Sequence, residues 1–381
     1  MSGGIVQLVA TGAQDAWLTG KPEVSFYRSS YKRYTHYANS PERQLIQGNP
    51  SAGNISTIRL EKKGDLINYM YLIAKDSTGA LIPGINWTNV IDKIELLIGG
   101  QIVDTQDINW MSNVEAVTGA QNFSQRFLNN NATGPNNITN GFLPLKFFFC
   151  KDWNVSLPLV ALQYHDVEIR ITWSPNLGTT LALTGLPATA AYSSFQYEAW
   201  TNFVYLDQAE REYFANTPMD LLITQVNRIP IATGNMQELA LAHPVKFLAF
   251  QSNNYSTAYA LSATNIPAVN YQFKTQINGV DIGDSRSTFQ WIDVPQYYHT
   301  PYGYNHGNQT ANVALISYCL DTSKLQPTGT LNFSRIDTYR IVAPAGVSLS
   351  TLAGGNGRYF YAVNYNVLRI KDGMGGLLYS N

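Results

Sequence analysis

From Ser25 onward apolar and polar residues alternate in short runs rich in β-branched and aromatic side chains, broken by Gly, Pro or Asn-rich turns. The runs are Ile55–Leu60, Leu66–Ala74, Val90–Ile98, Gln101–Thr105, Leu145–Cys150, Val167–Trp173, Tyr197–Leu206, Tyr271–Ile277, Val313–Leu320, Ile336–Val342 and Tyr359–Ile370. Period-two alternation at this length predicts half-buried strands, so the chain reads as an all-β sandwich or barrel. Two stretches invite a helix instead. One is Ile5–Leu18; the other is Asp207–Asn216, where Asp207 is placed to cap the first turn and Pro218 to stop the last. The second helix separates two sets of strands, and each half is long enough for one eight-stranded sandwich.

The halves share landmarks in the same order. Ile98-Gly99-Gly100-Gln101-Ile102-Val103-Asp104 is matched in style by Ile277-Asn278-Gly279-Val280-Asp281-Ile282-Gly283-Asp284. Cys150 precedes Asp152 and Pro158 as Cys319 precedes Asp321 and Pro327, which points to an internal duplication. Two polar loops, Ala120–Gly141 and His299–Ala311, each precede the Cys-bearing strand of their half and are expected to leave from the same end of their sandwich.

Composition narrows the classes. Charged residues are 13% of the 381, and 25 Lys+Arg offset 26 Asp+Glu to a formal charge of −1. Soluble domains average about 25% charged, so much of the surface is expected to be covered by neighbours, and a phosphate-binding surface over the whole molecule is disfavoured. No apolar run reaches the ~20 residues of a membrane-spanning helix. Met1–Gly20 lacks the basic start of a signal peptide, so intracellular synthesis is expected. Cys150 and Cys319 are expected to be buried free thiols.

The chemistry-bearing types form no known constellation. No nucleophile elbow, phosphate loop or paired Cys-x-x-Cys is present. Gly283-Asp284-Ser285 reads as a turn with Asp capping, not as an esterase block. His36, His165, His243, His299 and His306 lack ligand spacing. Asp104, Asp107, Asp281 and Asp284 read as solvated strand-end residues. Arg28, Lys32, Arg33 and Arg43 interleave with Phe26, Tyr27, Tyr31, Tyr34 and Tyr37. A nucleic-acid patch competes there with a sandwich edge whose cations pair with acids, and the edge is preferred. Nine N-x-S/T sequons occur, at Asn54, Asn86, Asn122, Asn131, Asn137, Asn154, Asn254, Asn308 and Asn332. The four in the long loops, Asn122, Asn131, Asn137 and Asn308, are the glycan candidates.

Several long strings carry a resemblance. Gly3–Ala38 (GGIVQLVATGAQDAWLTGKPEVSFYRSSYKRYTHYA), Ile94–Asp104, Phe142–Ile171, Gln326–Asp337 and Tyr361–Asn381 resemble the major capsid proteins of nucleocytoplasmic large DNA viruses, of the algal-virus and iridovirus type. The resemblance implies two consecutive eight-stranded antiparallel jelly rolls, a double jelly roll, with a short helical linker: an arm at 1–24, a first jelly roll at 25–206, the linker at 207–217 and a second at 218–381. It also implies a homotrimeric capsomer in an icosahedral shell. Expected partners are neighbouring capsomers and minor capsid and penton proteins, with an internal viral membrane nearby and no direct nucleic acid. The virion is the expected location, after synthesis and assembly in host cytoplasm. No cofactor, metal or catalytic residue is expected. The competing readings are a two-jelly-roll glycan-processing enzyme, which needs a cleft of carboxylates, and a carbohydrate-binding sandwich. The latter needs its seven Trp on one exposed face.

Overall fold

The computed structural model describes residues 2–10, 12–82, 85, 87–120, 142–178, 191–252, 272–301, 313–353 and 359–379. They form two units, Met1–His36 and Tyr37–Asn381. In the first, the helix expected over Ile5–Leu18 is broken: Ser2–Val9 is helical, and a new turn starts after Gly12, whose N–H donates to the Asp15 carboxylate at 2.8 Å before a short helix at Ala16–Thr19. No side chain described in this unit is buried.

The second unit begins with strands β1 (Tyr37–Gln44), β2 (Ile46–Gln47), β3 (Ile55–Arg59), β4 (Leu66–Lys75), β5 (Ile91–Ile98), β6 (Gln101–Gln106), β7 (Phe142–Pro144), β8 (Leu157–Pro158), β9 (Val167–Trp173) and β10 (Gln196–Leu206). The helix Gln208–Asn216 follows, with the Asp207 carboxylate accepting from the Gln208 N–H at 2.8 Å. Then come β11 (Met219–Pro230), β12 (Met236–Glu238), β13 (Pro244–Gln251), β14 (Gln272–Ile277), β15 (Val280–Ser287), β16 (Val313–Ser317), β17 (Leu331–Asn332), β18 (Tyr339–Val342), β19 (Tyr359–Lys371) and β20 (Met374–Leu377).

Among the described residues every sheet pairing is antiparallel, and the duplication is written into the strand order. One sheet of the first half runs β1-β10-β4-β7 with β8 also on β4; one sheet of the second runs β11-β19-β13-β16 with β17 also on β13. The opposing sheets run β2-β3-β9-β5-β6 and β12-β18-β14-β15. Among the described residues, nine strands of one half therefore match nine of the other in the same order, with β2 and β20 left over. Even a bulge is repeated. The β10 ladder skips Asn68 on β4, and the β19 ladder skips Lys246 on β13. The β5–β6 and β14–β15 hairpins turn through Gly99-Gly100 and Asn278-Gly279, all four at positive φ, the primed turn whose twist suits paired strands.

Burial explains the patterns. On β9 every second residue is buried, Val167, Ile169, Ile171 and Trp173, facing an interior that holds Trp87, Phe149 and Phe203. On β19 residues 360–366 are all buried, because both faces are covered. Phe360 and Ala362 face the core of the second half, whereas Tyr361 and Val363 join the core cluster of the first.

Three expectations are corrected. Leu145–Cys150 is no strand: the chain leaves the sheet after Pro144 and Phe148–Cys150 is a 3-10 turn, with Phe148, Phe149 and the preceding Phe147 all buried. The Cys-anchored alignment of the halves is out of register, since Leu157 on Ile67 matches Leu331 on Val245, at unequal distances from the two cysteines. Thr288–His299 forms a helix beyond the two stretches expected, with a Ser287–Gln290 capping box and Pro295 inside.

Candidate functional site

Buried polar and aromatic groups meet where the first half joins the second. After β6 the chain enters a helical segment, 108–118, wide and π-helical over Trp110–Val114 and α-helical over Glu115–Thr118. Asp107 starts it by accepting from the Trp110 N–H at 2.7 Å. This segment is pressed on the outer face of the β11-β19-β13-β16 sheet. Trp110 stacks on Phe247 with centroids 6.4 Å apart and lies 5.6 Å from the Tyr361 ring.

Polar groups at this seam are satisfied across it. The Tyr361 hydroxyl reaches both Asp107 oxygens, at 3.0 and 2.9 Å, and Arg228 adds a cation at 3.4 Å. Asp104 accepts from the Val226 N–H at 2.8 Å and from the Gln106 amide at 2.7 Å, while Gln225 donates to the Val103 carbonyl. Burial pushes the Asp104 carboxyl up to about 6 and raises Asp107 and the Tyr361 hydroxyl. A cavity of about 110 Å³ lies beside them, lined in part by Lys146, Lys246, Glu115 and Lys151. Burial lowers Lys146 and takes Lys246 to about 8; the Lys246 ammonium donates to the Thr322 and Lys324 carbonyls at 2.7 and 3.2 Å. Such groups hold two sandwiches in one fixed relation, and nothing near them among the described residues has the layout of a nucleophile with its base.

The expectation that all four aspartates are solvated therefore fails for two. Asp104 and Asp107 are buried because the second half covers the hairpin that bears them, whereas Asp281 and Asp284 are exposed. Gly283-Asp284-Ser285 lies within β15, where the ladder passes from Arg286 to Ile282, so it is a bulge rather than a capped turn. The basic and aromatic string is divided: Arg28, Lys32 and Arg33 are exposed in the first unit, and Arg43 lies on β1, 3.4 Å from Glu198. Cys150 and Cys319 are buried free thiols, and burial takes Cys150 to about 12. His165 contacts the Gly375 backbone and His299 ends its helix near the Leu320 carbonyl. His306 and all four glycan candidates, Asn122, Asn131, Asn137 and Asn308, lie outside the described residues. Among the described residues no three His, Cys, Asp or Glu side chains gather as metal ligands. Trp87, Trp110, Trp173 and Trp291 are buried, so the tryptophans share no exposed face.

A family model for the major capsid protein N-terminus matches residues 25–207, and one for the large eukaryotic DNA virus major capsid protein matches 210–376. The chain is 31% identical to the major capsid protein of Paramecium bursaria Chlorella virus 1 and 30% identical to that of Pyramimonas orientalis virus, each alignment spanning the whole of both chains. The solved PBCV-1 virus capsid superposes with a TM-score of 0.70 at 27% identity, covering 94% of this chain and all of that one. The Faustovirus major capsid protein shares the fold, with a TM-score of 0.57 at 11% identity over 97% of each chain.

Proposed function

Because this chain belongs to the major capsid proteins of large eukaryotic DNA viruses, we propose that it builds the outer shell as a homotrimeric capsomer. It is a structural virion protein and not an enzyme. The observation that carries the reading is the end-to-end match to capsid proteins at 30–31% identity. Three copies of a duplicated sandwich present six similar units, so a closed trimer acquires a nearly hexagonal outline and packs against six neighbours in an icosahedral shell. In this reading residues 25–206 and 218–381 are the two jelly-roll units and 207–217 is their linker. The arm at 1–24 meets neighbouring capsomers or minor capsid and penton proteins on the side facing an internal membrane, after assembly in host cytoplasm. Scattering from the purified protein is expected to give three times the chain mass of 42.3 kDa. A monomer at micromolar concentration overturns the trimer.

A further inference from the structure

The duplication makes one contact inside the chain and leaves its two counterparts unused. The helical segment after β6 meets the second half through Trp110, which lies against Phe247 and Tyr361, and its Met111, Val114 and Val117 are also buried. The helix Thr288–His299 follows β15 in the same way. Ser287 accepts from the Gln290 N–H as Asp107 does from the Trp110 N–H, which sets Val294 in the place of Val114 and Tyr297 in that of Val117. Yet Val294, Tyr297 and Tyr298 are 50, 61 and 71% exposed.

The receiving face is duplicated as well. Past the shared bulge, Phe247 opposite Val363 corresponds to Tyr69 opposite Asn202, and Ala249 opposite Tyr361 to Tyr71 opposite Trp200. Arg228 opposite Tyr361 matches Arg43 opposite Trp200. Phe247, Ala249, Tyr361 and Val363 are buried under the first half. On the first half, Tyr69, Tyr71 and Trp200 are only partly buried and Phe142 is exposed. The rings of Tyr69, Tyr71 and Phe142 follow one another on this face, with Tyr69 6.4 Å from Tyr71 and Tyr71 6.0 Å from Phe142.

We infer that the helix Thr288–His299 of one copy seats Val294, Tyr297 and Tyr298 on the Tyr69, Tyr71, Phe142 and Trp200 face of a second copy, repeating between chains the helix-on-sheet contact that the 108–118 segment makes within one through Trp110 on Phe247 and Tyr361. The inference rests on the homotrimer reading and specifies its surfaces. The contact is heterologous, helix to sheet, so each copy gives one helix and receives another, and a rotation that closes produces a ring. Burial of aromatic surface drives it, at the low side-chain entropy cost of rigid rings.

The test uses two variants of the full chain. One carries Val294→Arg and Tyr297→Arg; the other carries Tyr71→Arg. Each alone is expected to be monomeric where the wild type is trimeric, with wild-type circular dichroism. Mixed, they are expected to form a 1:1 complex, because one intact helix then meets one intact face. A third variant pairs Tyr297→Cys with Tyr71→Cys in one chain, and mild oxidation is expected to link copies covalently; this arm decides if an arginine variant misfolds. A wild-type trimer whose arginine variants also stay trimeric and whose cysteines do not link overturns the inference and leaves the trimer standing. A monomeric wild type overturns the trimer itself.

Discussion

Asp104 shows what the seam costs at the scale of a single side chain. It accepts three hydrogen bonds, from the Val226 and Thr105 N–H groups and the Gln106 amide, yet loss of water outweighs them and its carboxyl rises from 3.8 to about 6. The folded state thus keeps a proton that the unfolded chain releases between pH about 4 and 6. The stabilisation from this group is complete below about pH 4 and is lost as pH rises through about 6. The shift of roughly two units corresponds to about 3 kcal/mol over the whole window, of which about 1 kcal/mol falls between pH 5 and 7. Carboxylates held low by partners, Asp76, Glu198, Asp220 and Asp281, act at lower pH, and Lys246 acts above about 8. Asp104→Asn is therefore expected to flatten the rise in stability on acidification from pH 7 to 5 by about 1 kcal/mol, measured by denaturant unfolding at both pH values. Burial raises Asp107 in the same direction. An unchanged slope in the variant means that Asp104 does not titrate there.

At the scale of elements, the two hairpins show what sequence reading captures and what it misses. Ile277-Asn278-Gly279-Val280 and Ile98-Gly99-Gly100-Gln101 are turn signals on local chemistry alone, because both central residues need positive φ. Their surroundings differ. A Cβ at Gly99 would fall 2.4 Å from the His165 ring, which is held by the Gly375 carbonyl at 2.8 Å. Asn at this turn position is ordinarily favourable, as at Asn278. Gly99→Asn is nevertheless expected to cost about 1–3 kcal/mol by overpacking, while the same substitution in a His165→Ala background costs clearly less; thermal unfolding of the four-variant cycle reads the coupling. Equal losses in both backgrounds would rule out the ring as the cause. Strands with one buried face, such as Val167–Trp173, were legible to the residue, because alternation records a single interior. Asp104, Asp107 and the helix Thr288–His299 were not. Their environment is supplied by chain more than a hundred residues distant, or by Pro295 and aromatic residues that blur the helical period.

For the whole molecule, the low charge of 13% has two uses that the fold separates. Part of the apolar surplus joins the halves: among the described residues one cluster of 52 buried side chains holds the core of the first half together with 11 residues of the second, from Ile223 to Ile370. Another part is carried by the first unit, where Trp17 and Phe26 are 94 and 93% exposed and Leu8, Leu18 and Tyr31 are nearly so. Large apolar side chains left exposed in such number suit a contact made with another molecule. None of the side chains described in Met1–His36 is buried. Removing residues 1–20 is thus expected to change unfolding stability by no more than about 0.5 kcal/mol, the range of surface changes, and to leave the trimer intact. Assembly into shells is where the loss is expected, seen by electron microscopy of particles built from the truncated chain. A truncated chain that no longer trimerises would place the segment inside the capsomer interface, and one that still forms normal shells would remove its assembly role.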